Sequence, residues 1–303
     1  MAAGLTLGTR GSALALRQAR WVASRIEADG TPCAVRVIRT TGDRLPRARL
    51  AALGPSQNLK GVFTKEIEDA LLEGTIDVAV HSLKDLPTSL DPRLALACVP
   101  ERADPRDALL GRALDDLAPG HRVGTGSPRR AAQIAALVPG VDIKEIRGNV
   151  DTRIRKLREG RYDAIVLAAA GLQRLGLMAE AEEMLDPDRV VPAVGQGALG
   201  VEVRARDGRA LRALAPLHDS LAAAEVEAER ALLRSLGGGC DVPLGAHCQA
   251  LRGTLRLRAA AAAADGSIVR AGGSAPVGQA TELGARLAGD LRRLGVPAEG
   301  PGA

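Results

Sequence analysis

Leu5–Ile26 reads LTLGTRGSALALRQARWVASRI. The run Leu5–Thr9 has strand character, Ser12 stands where a helix N-cap belongs, and apolar residues then recur at helical spacing through Ile26. The same alternation continues outward. Val35–Arg39 reads as a second strand, and a polar Gly/Pro-bearing loop covers Gly42–Gly61. Thr64 is the expected cap of a helix whose Ile67, Leu71 and Leu72 share a face. Ile76–Val80 is a strand stopped by His81-Ser82-Leu83-Lys84-Asp85, and Leu94–Val99 follows as another. A second block repeats the pattern: a strand at Arg122–Val123, a helix after Ser127, a strand at Asp142–Ile146, a helix through Leu157 and a strand at Ala164–Ala168. Such alternation predicts an α/β protein with parallel strands. Ligands of these sheets sit at the carboxyl ends of strands. Thr9-Arg10, His81–Asp85, Thr125–Arg130 and Arg147-Gly148-Asn149 all fall there, which predicts a polar cleft shared by two α/β lobes.

After Asp188 the character changes. Pro192–Gly197 is a glycine-rich crossing, and Leu199–Arg204 reads as a strand returning to the first lobe. A long helix over His218–Leu236 is stopped by Gly237-Gly238-Gly239. Short β-runs near Leu244–Leu251, Thr254–Ala260 and Ser267–Gly272 precede a final helix near Thr281–Leu294, the pattern of a small antiparallel α+β domain. The expected partition is 1–100 with 198–215, then 101–197, then 216–303.

Composition bounds the function. The chain has 303 residues, 46% hydrophobic and 25% charged, which describes a folded globular protein of more than one domain. Aromatics amount to 1% (Trp21, Phe63, Tyr162), too few for the stacking platforms of single-strand nucleic-acid binders, and a net charge of +5 is mild for this length. Nucleic acid is therefore not an expected partner. Of the 41 basic residues only Lys60, Lys65, Lys84, Lys144 and Lys156 are lysines. Arginine presents a planar fork suited to carboxylates and phosphates, although part of this excess is compositional. Cys33, Cys98, Cys240 and Cys248 form no CxxC pair, and the N-terminus has no secretory-leader pattern, so a reducing cytoplasm is expected. No apolar run approaches membrane-spanning length.

In Gly124-Thr125-Gly126-Ser127-Pro128-Arg129-Arg130, Ser127 is a good N-cap and Pro128 suits the first helical position. Two arginines in that first turn oppose the helix dipole, a conflict that a bound anion would resolve; solvated arginines are the plainer alternative. No Gly-Lys-Ser/Thr follows at P-loop spacing, so a nucleotide is not expected. Arg147 and Arg153, with Arg10, extend the basic cluster, and several forks together imply a ligand with several carboxylates or phosphates. Asp85 beside cations should stay ionised and could stabilise a developing positive charge, or simply pair with Lys84. His81 reads as a packed residue. Cys240, after three glycines, is a loop thiol suited to covalent attachment, whereas Cys33 and Cys98, inside strands, read as inert. Cys240, His247 and Cys248 have irregular spacing and no evident fourth ligand, so no metal is expected; a hydrolase or transferase using Cys240 and His247 is a rival reading, as is a two-lobed binder without catalysis.

Taken in order, Thr9-Arg10-Gly11-Ser12, Ile76–Asp85 (IDVAVHSLKD), Arg102–Asp107 (RADPRD), Gly124–Arg130, Arg147–Val150, Tyr162–Leu177, Val191–Gly200 (VPAVGQGALG) and Gly238–Pro243 (GGCDVP) resemble the porphobilinogen deaminase family over nearly the whole chain. The resemblance implies two periplasmic-binding-protein-like (type II) lobes and a small C-terminal α+β domain. It implies a dipyrromethane cofactor joined by a thioether to Cys240, with Asp85 as the catalytic group. Ser82, Lys84, Thr125 and Ser127, with Arg129, Arg130 and Arg147, would bind the cofactor. Arg10, Ser12, Arg147 and Arg153 would bind substrate carboxylates, with Arg129 and Arg130 also facing the growing chain. The implied reaction joins four porphobilinogen molecules with loss of ammonia and releases linear 1-hydroxymethylbilane, in a cytoplasmic monomer that hands its product to the next enzyme; no metal or nucleotide takes part. Two departures stand out: Leu50–Gly61 lacks the usual glycine-rich lid segment and keeps only Lys60, and Gly126 replaces a more usual hydroxyl residue.

Overall fold

The computed structural model describes residues 4–41, 61–237 and 243–297, with the backbone alone at 61–63. The chain divides into two compact units, Met1–Arg102 with Ala198–Ala223, and Ala103–Gly197 with Ala224–Ala303.

In the first unit, β1 (Leu5–Thr9), α1 (Ala13–Ala28), β2 (Cys33–Val37), α2 (Gly61–Leu72), β3 (Val78–Ser82) and β4 (Leu94–Cys98) are joined by β10 (Leu199–Arg204) and α6 (Gly208–Leu214). The strand order is β2-β1-β3-β10-β4. β1 runs parallel to β2 and β3, whereas β10 runs antiparallel to both its neighbours. Alternation sorts the two faces. Leu5, Leu7, Val78, Val80, Leu199, Val201 and Val203 pack under Ala19, Val22 and Ile26 of α1 and Ala210 and Leu214 of α6. Ala79 faces the other way, toward Ile67, Ala70 and Leu71 of α2. Each fully buried Leu, Ile or Val contributes roughly 1.5–3 kcal/mol.

The second unit contains β5 (Asp107–Leu110), β6 (Arg122–Gly124), α3 (Pro128–Leu137), β7 (Asp142–Lys144), α4 (Val150–Arg158), β8 (Ala164–Ala168), α5 (Ala169–Leu175) and β9 (Glu183–Met184), in the strand order β7-β6-β8-β5-β9. β5 is its antiparallel member. Both sheets thus share the 2-1-3-n-4 order of type II periplasmic-binding-protein lobes. The same unit holds most of α7 (Ser220–Ser235), the antiparallel sheet β11 (Leu244–Leu251), β12 (Thr254–Ala262) and β13 (Ile268–Pro276), and α8 (Ala280–Arg293). Leu283, Leu287 and Leu291 of α8 recur every four residues and close this core against Leu232 of α7 and Leu255 and Leu257 of β12.

Two expectations are corrected, and two strands were not anticipated. The sheets are mixed, because β10 and β5 run against their neighbours. Hydrophobic periodicity places a strand but carries no direction. β5 and β9 had no clear strand signal of their own, being four and two residues long. Thr64 does not cap α2, which begins at Gly61; its hydroxyl bonds Glu68 one turn on. The loop 42–60 lies outside the described residues.

Candidate active site

In the first unit the sequence-expected residues gather at the carboxyl ends of the adjacent parallel strands β1 and β3. Arg10 follows β1, and the Ser12 Oγ caps α1 by accepting the Ala15 N–H at 3.3 Å. β3 ends at Ser82, whose Oγ accepts a hydrogen bond from the Gln18 amide at 2.9 Å. A single 3-10 turn, Leu83–Asp85, follows. Leu83 and Leu86 are each 1% exposed and anchor the turn from both sides. The Leu83 N–H also donates to the Ala198 carbonyl at 3.0 Å. Lys84 is left half-buried and Asp85 exposed. Asp85 is therefore a surface-facing carboxylate on a turn that its apolar neighbours hold rigid. Removing its carboxylate leaves the core untouched.

In the second unit the residues follow β6 and β7. Ser127 caps α3 with Pro128 in the first turn. The Thr125 Oγ1 accepts the Ser127 N–H at 3.1 Å, bracing the approach to the helix. Arg129 and Arg130 are only 5% and 6% exposed. Both converge on Asp107, which is wholly buried: Arg129 Nη1 lies 2.7 Å from Oδ2, and Arg130 Nη2 lies 2.7 Å from Oδ1. Gln196 donates to the same Oδ1 at 2.8 Å. Burial alone would raise the Asp107 carboxyl, but the two guanidinium charges and their hydrogen bonds outweigh it and hold it far below the usual range. Further donors reach the Val191 carbonyl from Arg129 and the Val166 carbonyl from Arg130. Arg129 Nε is buried without a hydrogen-bond partner.

Arg147 pairs with Glu145 at the surface. Arg153, on α4, donates to the Gly148 carbonyl at 2.7 Å. Gly148 has φ +119°, and a Cβ there would meet Thr152 Cγ2 at 2.9 Å, so this turn requires glycine. Burial first, then the charges of Arg130 and Arg147, push the Arg153 guanidinium below its usual range. Arg153 thus lies in the field of Arg130 and Arg147, while Arg130 shares the buried Asp107 carboxylate with Arg129, a grouping of guanidiniums that favours an anionic ligand.

Cys240 lies outside the described residues. Burial pushes the Cys33 thiol up to about 11 and the Cys98 thiol up to about 12, so both stay protonated and unreactive at neutral pH.

A family model described as "Porphobilinogen deaminase, dipyromethane cofactor binding domain" matches residues 5–212, and one described as "Porphobilinogen deaminase, C-terminal domain" matches residues 223–293. The chain belongs to the porphobilinogen deaminase family. A porphobilinogen deaminase of Syntrophobacter fumaroxidans is 48% identical over 286 residues, covering 92% of this chain and 91% of that one. Another, of Roseiflexus castenholzii, is 50% identical over 296 residues and covers 96% of both. Among solved structures the chain is similar to a TRAP periplasmic solute binding protein from Desulfovibrio salexigens, at 12% identity and a TM-score of 0.42, over 71% of this chain and 72% of that one. Membership in the porphobilinogen deaminase family makes residues 5–212 a dipyrromethane-binding domain and the chain an enzyme of tetrapyrrole biosynthesis.

The donor set of the second unit fits a group of that kind. Dipyrromethane carries several carboxylates, and Arg153, which feels the charges of Arg130 and Arg147, together with the Arg129 Nε that lacks a hydrogen-bond partner, offers donors that carboxylates satisfy. Two further residues had no role assigned from the sequence. Asp107, quoted within RADPRD, is the internal anion that resolves the paired arginines at the start of α3. Arg174, at the end of α5, donates to the Gly197 carbonyl at 2.7 Å, and burial pushes it down to about 10. Its signal was an arginine, beside Gln173, in the mainly apolar run Ala164–Leu177.

Proposed function

We propose that the chain joins four porphobilinogen molecules, with loss of one ammonia at each addition, and releases linear 1-hydroxymethylbilane by hydrolysis, as a transferase of the hydroxymethylbilane synthase type. The observation that carries this reading is the grouping of four arginines in the second unit: Arg129 and Arg130 share one buried carboxylate, and the charges of Arg130 and Arg147 both bear on Arg153. Every porphobilinogen brings an acetate and a propionate, so the ligand gains negative charge with each addition, and the arginine surplus suits it.

When bound, the dipyrromethane supplies a nucleophilic pyrrole α-carbon as primer, and Cys240 is its proposed thioether anchor. Thr125, Ser127, Arg129, Arg130 and Arg147 are assigned to cofactor carboxylates, together with Ser82 and Lys84. Arg10, Ser12, Arg147 and Arg153 are assigned to substrate carboxylates. Asp85 accepts pyrrole N–H groups and stabilises the cation left on porphobilinogen when ammonia departs. Its exposed place on a turn anchored by Leu83 and Leu86 supports that role.

The domain boundaries read from the sequence, a monomeric state, a cytoplasmic location and transfer of the product to the next enzyme complete the proposal. Among the described residues no helix is long and apolar enough to cross a membrane. Intact-mass measurement tests the anchor: protein produced with substrate available should exceed its sequence mass by two linked pyrroles, and Cys240→Ser should lose that excess. An unmodified parent mass under those conditions refutes covalent attachment.

A further inference from the structure

Beneath α2 lies a buried charged cluster with no part in the reaction described so far. His81 points from β3 to the α2 side of the sheet, because Val78, Val80 and Ser82 alternate onto the other face. Its Nε2 lies 3.2 Å from Oε2 of Glu202 on β10, with side-chain exposures of 4% and 0%. Neither Glu202 oxygen has a hydrogen bond, nor does His81 Nε2, so the two groups are in close contact without a well-aligned hydrogen bond. Glu68 comes in from α2 as a second carboxylate with its Oε1 buried. Burial, then the charge of Glu202, pushes the Glu68 carboxyl up, against the Thr64 hydroxyl and the charge of His81. Arg204, two residues along β10, is committed to Asp77, Asp207 and the carbonyls of Leu71 and Ile76.

Two acids and one imidazole in a dry layer are expensive, and apolar residues of similar volume would stabilise the fold as well or better. What the cluster does supply is position. Gly200 sits opposite His81 and Glu202 opposite Ala79, and a slip of one residue would turn every side chain of β3 to the wrong face. The chain continues from His81 directly into Ser82 and the turn that carries Asp85.

We propose that His81 and Glu202 are positioning residues: their buried contact, with Glu68 closing it from α2, sets the end of β3 and thereby the place of Asp85. This inference rests on the catalytic reading of Asp85. It is tested with Glu202→Asp, which keeps the carboxyl group but withdraws it by one methylene, and with Glu202→Gln. The expected result for Glu202→Asp is a thermal midpoint close to the parent, kcat lower by about tenfold, and KM for porphobilinogen within about twofold. Parental kcat in folded Glu202→Asp overturns the proposal, as does a rise in KM at constant kcat. If Glu202→Gln does not fold, Glu202→Asp alone decides. Asp85→Ala, assayed in parallel, separates the two readings: normal turnover there defeats the assignment of Asp85, whereas a dead Asp85→Ala beside a normal Glu202→Asp defeats the positioning role only.

Discussion

Asp107 illustrates how one side chain governs several. It neutralises two buried guanidiniums that lie 22 and 23 positions further along the chain. Removing it leaves both charges uncompensated in a dry site. Asp107→Ala should therefore lose about 3–5 kcal/mol of stability, measured by urea unfolding at neutral pH. The carboxyl is depressed in the folded state, so its contribution is complete above its ordinary value of 3.8 and is lost as pH falls from there toward the folded value. Parent protein should accordingly weaken steeply in acid, and Asp107→Asn should show a shallower acid limb. Asp85→Ala belongs to the opposite class: an exposed group whose loss should leave the melting curve unchanged and lower turnover by about 10²–10⁴-fold. Capping of α3 by Ser127 and the polar strand ends were legible in the sequence, because both are local. The Asp107–arginine pairing was not, since spacing along a chain says nothing about which loops meet.

At the level of elements, helix contact and strand pairing follow from small residues and alternation. α8 approaches α7 so closely that a Cβ on Gly284 would sit 2.4 Å from the Ala228 carbonyl oxygen. Gly284→Ala should thus destabilise the C-terminal core by about 1–3 kcal/mol despite the higher helix propensity of alanine, with calorimetry as the check. The raised Glu68 carboxyl works in the other direction from Asp107. Its stabilising influence is complete below its ordinary value of 4.5 and disappears as pH rises through the folded value. Glu68→Gln should therefore raise the thermal midpoint at neutral pH and flatten its decline between acid and neutral solution. Strand β10 was readable with its correct bounds because Leu199, Val201 and Val203 alternate with Gly200, Glu202 and Arg204 after the glycine-rich crossing. Its antiparallel sense was unreadable, as was β5, whose four residues begin at the buried Asp107.

For the whole molecule, the 2-1-3-n-4 order makes each sheet depend on a strand that is remote in the chain from its neighbours. In the first unit that strand is β10, hydrogen-bonded between β3 and β4. A fragment ending at residue 197 contains every other strand of that sheet, yet it should show no cooperative unfolding of the first unit and should bind a hydrophobic dye. Hydrogen exchange on the fragment would locate the loss at β3 and β4, and protected amides there would contradict the expectation. The α/β class and a returning strand were legible, because periodicity and glycine-rich crossings are written locally. The central placement of that strand was not, because it is decided by pairing across more than a hundred residues.

That placement also imposes an order of events during synthesis. The strands of the second unit's α/β sheet all lie between residues 107 and 184, so this sheet is complete while the ribosome has still to deliver Leu199–Arg204. The amino-terminal half, translated first, is consequently the later of the two sheets to close. Until then it offers the nascent chain two open strand edges, at β3 and at β4, for chaperones to shield.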